Sequence, residues 1–176
     1  MIRVVLTGSE STGKTTLAGK LSAHYGAELV PEFVRDYVSA KGAPVEFGDH
    51  GPIARGQMAL EDAHTGSGPR LVIQDTDLLS TVVYSEHYFG TCPAWIGEEL
   101  ARRRPDLYLL CEIDVPWVAD DVRDRGHMRE EMQALFRAAV AASGVPSAVI
   151  SGGWTERFQR AVDVIDEMLL VAPPTA

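Results

Sequence analysis

Eight residues near the amino terminus, Gly8-Ser9-Glu10-Ser11-Thr12-Gly13-Lys14-Thr15, follow the pattern G-x-x-x-x-G-K-[ST]. Residues of these types at this spacing cradle the phosphates of a nucleotide. The glycines permit backbone torsions that let successive N–H groups turn inward at anionic oxygens. The helix expected to start near Lys14 adds the partial positive charge of its amino-terminal end. On this pattern Lys14 bridges the β- and γ-phosphates of ATP and the Thr15 hydroxyl ligates Mg2+, while Ser9, Glu10, Ser11, Thr12 and Thr16 complete the contacts.

Acidic groups stand where such a loop would need them. Gln74-Asp75-Thr76-Asp77 follows an apolar run, and Asp75 is expected to hold Mg2+ through water. Asp77 reads in two ways, as a group facing the acceptor or, like Thr76, as a helix cap. In Pro31-Glu32-Phe33-Val34-Arg35-Asp36-Tyr37, Glu32 is placed to take a proton from a hydroxyl acceptor. Arg35 would orient that carboxylate or the acceptor, or form a surface salt bridge with Glu32, and Tyr37 contacts the ligand or only packs. Residues 114–129 make an arginine-rich, glycine-containing connection with the form of a lid. Arg123 and Arg129 are its candidate clamps on the transferred phosphoryl group. Arg125 can be a solvated partner of Asp121 or Asp124, and Trp117 caps the ligand or belongs to the core. In Ser151-Gly152-Gly153-Trp154-Thr155, the glycines and Trp154 suit adenine, with Thr155 as an ordinary helix cap. Arg102-Arg103-Arg104 closes a helix, where cations offset the dipole.

The elements that must position these residues follow from hydrophobic pattern. Short, β-branched apolar runs at 2–6, 27–30, 71–73, 107–111 and 148–150 read as strands buried on both faces. Between them lie helices: one after Gly13 that stops at Gly26, then 52–64, 78–89, 95–104, 115–125, 129–142 and 155–170. The order predicts an α/β P-loop NTPase fold: a five-stranded parallel sheet with helices on both faces and a short lid at about 117–129. One kinase-like domain is expected over 1–171, with a loose tail at 172–176. Ligands of such sheets sit at the carboxyl ends of the strands, where each motif above falls.

With 176 residues, 45% of them hydrophobic and 23% charged, the chain is long enough for a buried core. The net charge of −9 argues against nucleic-acid or membrane-surface partners. The absence of a signal-like segment or a membrane-length apolar run predicts a cytoplasmic protein. Cys92 and Cys111 form no metal or redox motif, and the five histidines show no ligand spacing.

Taken together, the loop at 8–15, Glu32-x-x-Arg35-x-Tyr37, Asp75-Thr76-Asp77 and Trp117-Val118-Ala119-Asp120-x-x-Arg123 resemble the kinase domain of the bacterial NadR proteins over nearly the whole chain, in order. The resemblance implies ATP-dependent phosphorylation of the 5′-hydroxyl of nicotinamide riboside. It also implies aromatic residues flanking the nicotinamide ring: a Trp directly before the Glu and a Tyr on the following helix. Pro31 and Ala63 stand at the matching positions here, which leaves Phe33, Tyr37, Tyr84 or Trp117 to hold the ring, or another nucleoside or vitamin as acceptor.

The expectation is therefore phosphoryl transfer from Mg-ATP to a small nucleoside-like acceptor, with Glu32 or Asp77 as base. The rival from another class is a nucleotide-sensing regulatory ATPase. A GTPase switch is disfavoured, because neither D-x-x-G nor N-K-x-D occurs.

Overall fold

A computed structural model describes residues 1–115 and 128–171. Five strands, β1 (Ile2–Thr7), β2 (Glu28–Val30), β3 (Leu71–Asp75), β4 (Leu107–Cys111) and β5 (Ser147–Ile150), form one sheet in the order β2-β3-β1-β4-β5. Every neighbouring pair is parallel. The expected fold is the observed one. Strand bounds agree with the pattern reading to within a residue or two, because runs such as Leu71-Val72-Ile73 are inaccessible on both faces.

Among the described residues seven α-helices flank the sheet: α1 (Lys14–Tyr25), α2 (Phe33–Lys41), α3 (His50–Thr65), α4 (Leu78–Phe89), α5 (Ala94–Arg102), α6 (Arg129–Ser143) and α7 (Trp154–Val171). Side chains alternate across β1 and so divide the core. Val4 and Leu6 pack with Leu17 and Leu21 of α1 and Ile165 of α7. Val5 faces the other way, onto Leu79 and Val83 of α4 and Met132 and Phe136 of α6. A third cluster of Ala54, Leu78 and Ile96 joins α3, α4 and α5. Full burial of each such side chain contributes about 1.5–3 kcal/mol, so Leu6→Ala at the sheet's centre would cost about 2–5 kcal/mol.

The helix α2 has no counterpart in the pattern reading, because it buries no residue fully and its apolar stripe, Phe33, Val34, Tyr37 and Val38, is short. It ends at Gly42, whose φ of 65° is the left-handed conformation glycine takes most readily. A 3-10 turn at Phe47–Asp49 then leads into α3, which starts two residues before the expected Pro52. The expected helix at 115–125 and most of the lid lie outside the described residues, as does the tail.

Sheet register aligns the chemistry. Leu6 is level with Asp75 on β3, Thr7 with Leu110 on β4, and Val30 with Gln74. The glycine-rich loop, Asp75 and the turn bearing Glu32 therefore emerge side by side from one edge of the sheet.

Candidate active site

The loop between β1 and α1 is a buried turn built around its glycines. Gly8 has φ +127°, and a Cβ there would meet the Cys111 carbonyl oxygen at 2.6 Å, so no other residue fits. Gly13 has φ +81° and precedes α1 with no side-chain cap, which leaves the first helical N–H groups directed at the loop. Thr12 Oγ1 donates to the Ser9 carbonyl at 2.9 Å. Ser11 holds φ 53°, a left-handed conformation that costs a non-glycine residue about 1 kcal/mol or more. Lys14 Nζ reaches back to the carbonyls of Gly8 and Ser9 at 3.0 and 2.8 Å, which keeps its ammonium charge inside the loop.

Asp75 is 2% exposed, and its Oδ1 has no hydrogen-bond partner among the described residues. Burial and the neighbouring Glu32 charge raise its pKa, while a hydrogen bond with Thr15 and the charges of Lys14 and Arg35 pull it down. A buried carboxylate oxygen held beside a threonine hydroxyl is a donor set suited to a hard divalent cation. Thr76, the next residue, has φ +76° and donates its N–H to the Leu6 carbonyl at 3.1 Å, which bends the chain sharply after Asp75.

Of its two sequence readings, Asp77 takes the cap. Its Oδ1 accepts from Leu79 N–H at 3.0 Å at the start of α4, and its Oδ2 accepts from the Tyr108 hydroxyl at 2.7 Å. Both oxygens are bonded within the fold, so Asp77 serves as the cap, while it also lines a cleft together with Lys14 and Glu32.

Glu32 stands at the head of α2 without capping it, and its Oε2 accepts from Arg35 Nε at 2.6 Å. Tyr37 does not reach the ligand space: its hydroxyl donates to Asp49 Oδ1 at 2.7 Å. Asp49 also binds Lys41, and these bonds hold its carboxyl down at about 2 while tying α2 to the start of α3. Tyr37 is therefore a structural residue, contrary to the substrate-binding expectation.

A cleft of about 850 Å³ is lined by Gly8, Glu10 and Lys14, by Glu32, Arg35 and Asp77, and by an aromatic wall of His50, Tyr84, Tyr88 and Phe89. In that wall His50 meets Phe89 edge-on at 5.3 Å, and Tyr84 stacks parallel to Tyr88 at 6.0 Å. Neither Pro31 nor Ala63 lines the cleft, nor do Phe33 and Tyr37; of the described candidates for holding a ring, Tyr84 does.

A family model described as an AAA domain matches residues 3–157. The chain belongs to that AAA-domain family. This AAA domain is similar to the trifunctional NAD biosynthesis/regulator protein NadR of Escherichia coli K12, with 28% identity over 173 residues. That match takes in 94% of the chain and 42% of the relative, so the chain spans about two fifths of the curated relative's length. Two crystal structures of NadR protein superpose on it. The complex with NAD and AMP-PNP gives a TM-score of 0.77 at 25% identity, and the complex with NR gives 0.76 at 24%. Each covers 99% of the AAA domain and 51% of the other chain.

Three side chains support the loop of this AAA domain from a distance. Arg129 Nη2 donates to the carbonyls of Ser11 and Val115, both at 3.3 Å, so this expected clamp lies against the loop. Burial lowers its pKa, and Glu10 acts in the opposite direction. Gln133 on α6 bridges loop and sheet: its Oε1 accepts from Ser9 N–H at 2.9 Å and its Nε2 donates to the Cys111 carbonyl at 3.0 Å. Arg157, 1% exposed, donates from Nη1 to the Thr12 carbonyl at 3.0 Å and from Nη2 to the Glu112 carbonyl at 2.8 Å. It also donates to the Gly152 carbonyl and pairs with Asp114. The sequence reading assigned no role to Gln133 or Arg157. Their loop partners, Ser9 and Thr12, lie more than 100 residues away, and a glutamine or arginine on a helix carries no local signal of such reach.

Trp154, 44% exposed, lies over Gly13, where a Cβ would come within 2.5 Å of its ring, and Lys20 Nζ sits 5.4 Å from the ring centre. It begins α7, and Glu156 rather than Thr155 accepts the Gly153 N–H, at 2.7 Å. The sequence candidates Trp117 and Arg123 lie outside the described residues.

Proposed function

We propose that the chain transfers the γ-phosphoryl group of Mg-ATP to a hydroxyl of a small riboside, with nicotinamide riboside the leading acceptor and nicotinamide mononucleotide its product. The observation that carries this reading is the cleft itself, which joins Lys14 and Glu10 of the phosphate loop to Glu32, Arg35 and a set of aromatic rings. A regulatory ATPase has no need of a carboxylate and an aromatic wall in one cleft with its phosphate loop; a small-molecule kinase does. NadR protein crystallised with NR and with AMP-PNP supports the same pair of ligands.

In this reading the loop amides, Lys14 and Thr16 hold the triphosphate, with Trp154 beside Gly13 toward the adenine. Thr15 and Asp75 would hold Mg2+, which when bound neutralises charge on the β- and γ-phosphates. Among the described residues no group of three His, Cys, Asp or Glu could hold a metal alone. That suits Mg2+, which is usually bound by one or two protein groups together with phosphates and water. Glu32 accepts the proton of the acceptor hydroxyl as its oxygen bonds to the γ-phosphorus, the bond to the bridging oxygen breaks, and ADP leaves. Arg35 orients Glu32, and Arg129, with Arg123, offsets charge on the transferred group. Most of the rate then comes from positioning and charge neutralisation. His50, Tyr84, Tyr88 and Phe89 receive the flat ring of the riboside, replacing the flanking aromatics that the NadR resemblance implies at Pro31 and Ala63.

The test is incubation with Mg-ATP and a panel of ribosides, following ADP and phosphorylated product. Nicotinamide riboside is expected to give stoichiometric ADP and nicotinamide mononucleotide. ATP turnover that no acceptor stimulates would overturn the kinase reading.

A further inference from the structure

Glu32 occupies an unusual place for a helix-capping acid. It is the residue before α2, with extended torsions (φ −75°, ψ 111°), yet its side chain makes no capping bond. Side chains at this position commonly fold back on the helix's first amides, which would turn the carboxylate away from the cleft. A residue on another helix takes part of that work. Gln57 of α3, 3% exposed, accepts the Phe33 N–H on its Oε1 at 2.9 Å and donates from Nε2 to the Pro31 carbonyl at 3.3 Å. Those two backbone groups flank Glu32 on either side. One amide side chain therefore clasps the β2–α2 turn before and after the carboxylate, using one donor and one acceptor.

A second contact fixes the same turn. The Phe33 ring lies directly where a side chain at Gly56 would be, so α2 rests on the bare backbone of α3 one residue before Gln57. The turn can neither rotate about the helix axis nor lift away from α3 without breaking the clasp or losing the ring contact. Glu32 is thereby left to pair with Arg35 and face the cleft, which Gln57 also lines.

We infer that Gln57 is a positioning residue of the phosphoryl-transfer site, acting through Glu32 by holding the Pro31–Phe33 backbone; this rests on the proposed role of Glu32. Gln57→Met keeps the length and volume of the side chain and removes both hydrogen bonds. Assays use the riboside that gives the highest turnover with the wild-type protein. Misplacement of a reacting group by about 1 Å costs up to about 100-fold, so kcat is expected to fall about 10- to 100-fold. KM for ATP and affinity for AMP-PNP should stay within about twofold, because no loop contact passes through Gln57. In the Glu32→Gln background the same substitution should add less than a twofold loss, since a pair acting as a unit is not additive. Backbone exchange over residues 31–37 should quicken in Gln57→Met, and thermal melting read alongside verifies that both variants are folded at the assay temperature.

The outcomes separate the two claims. If Glu32→Gln leaves kcat unchanged, the role of Glu32 falls and the inference with it. If Glu32→Gln is severely impaired but folded Gln57→Met retains kcat, or if the two losses multiply in the double variant, Gln57 is only a structural residue and the inference fails while the kinase reading stands. Gly56→Ala, which pushes out the Phe33 ring and with it the Phe33 N–H that Gln57 holds, is a second probe, expected to lower kcat with KM for ATP held. Wild-type kcat in folded Gly56→Ala would likewise overturn the inference.

Discussion

The Arg157 guanidinium of α7 donates to the Thr12 carbonyl at 3.0 Å, so the last helix of the chain grips the phosphate loop from behind. The same buried side chain reaches the Glu112 and Gly152 carbonyls and the exposed Asp114 carboxylate, joining loop, β4 end and β5 end. Replacing it would leave three carbonyls and a carboxylate without their partner. Arg157→Met is expected to lose about 1–3 kcal/mol of stability, the cost of leaving buried polar groups without their hydrogen bonds. Arg157→Lys should recover little, since an ammonium cannot span acceptors lying in several directions. Urea unfolding measures both, and a loss below about 1 kcal/mol in Arg157→Met would show that these contacts are dispensable.

Asp75 predicts a separation between binding and turnover. Its buried Oδ1, beside Thr15, is the position proposed for Mg2+. Asp75→Asn keeps the shape and removes the charge, so AMP-PNP should still bind in the absence of metal with near wild-type affinity. Turnover should fall at least about 100-fold, in keeping with the several kcal/mol that a bound metal contributes. Chelation with EDTA should reduce the wild-type rate to that of the variant. Wild-type kcat in Asp75→Asn would remove Asp75 from the metal site.

The aromatic wall predicts the acceptor half. Phe89 lines the cleft, is 39% exposed, and its ring stands 5.3 Å from that of His50. Phe89→Ala should raise KM for the riboside about tenfold, equivalent to about 1.4 kcal/mol of ring contact, with KM for ATP unchanged. Steady-state kinetics with each substrate varied in turn decides it. An effect on ATP instead would place the acceptor elsewhere.

How much of this was legible in the sequence depends on whether a feature is local. The loop at 8–15 and Asp75 were readable because their spacing is itself the mechanism, and the strands because a fully buried run such as Leu107–Cys111 needs no tertiary information. The helix α2 escaped because no residue of it is fully buried and its apolar repeat, Phe33/Tyr37 and Val34/Val38, spans little more than one turn. Asp77 and Tyr37 looked like ligands because acids and tyrosines near a phosphate loop often are. Their partners, Tyr108 and Asp49, are brought to them only by folding. Gln57, Gln133 and Arg157 act on backbone atoms far along the chain, where no residue pattern is required of their partners.

Two buried acids set a pH dependence of stability. Glu61 on α3 is 3% exposed; burial first, and then the charge of Asp77, raise its pKa from 4.5 to about 7 against the opposing pull of Arg103 at 3.2 Å. Burial likewise lifts Asp77 from 3.8 to about 6 although Tyr108 and the Leu79 amide oppose it. Each group holds its proton more tightly folded than unfolded. The stability they contribute is therefore fully present below the unfolded values and lost as pH rises through about 6 for Asp77 and about 7 for Glu61. For Glu61 the shift corresponds to about 3 kcal/mol. Glu61→Gln cannot titrate, so its stability relative to wild type should improve by about that amount between pH 4.5 and 8, as measured by urea unfolding at each pH. A difference that stays flat across this window would show that Glu61 is ionised in the folded protein throughout, held by Arg103.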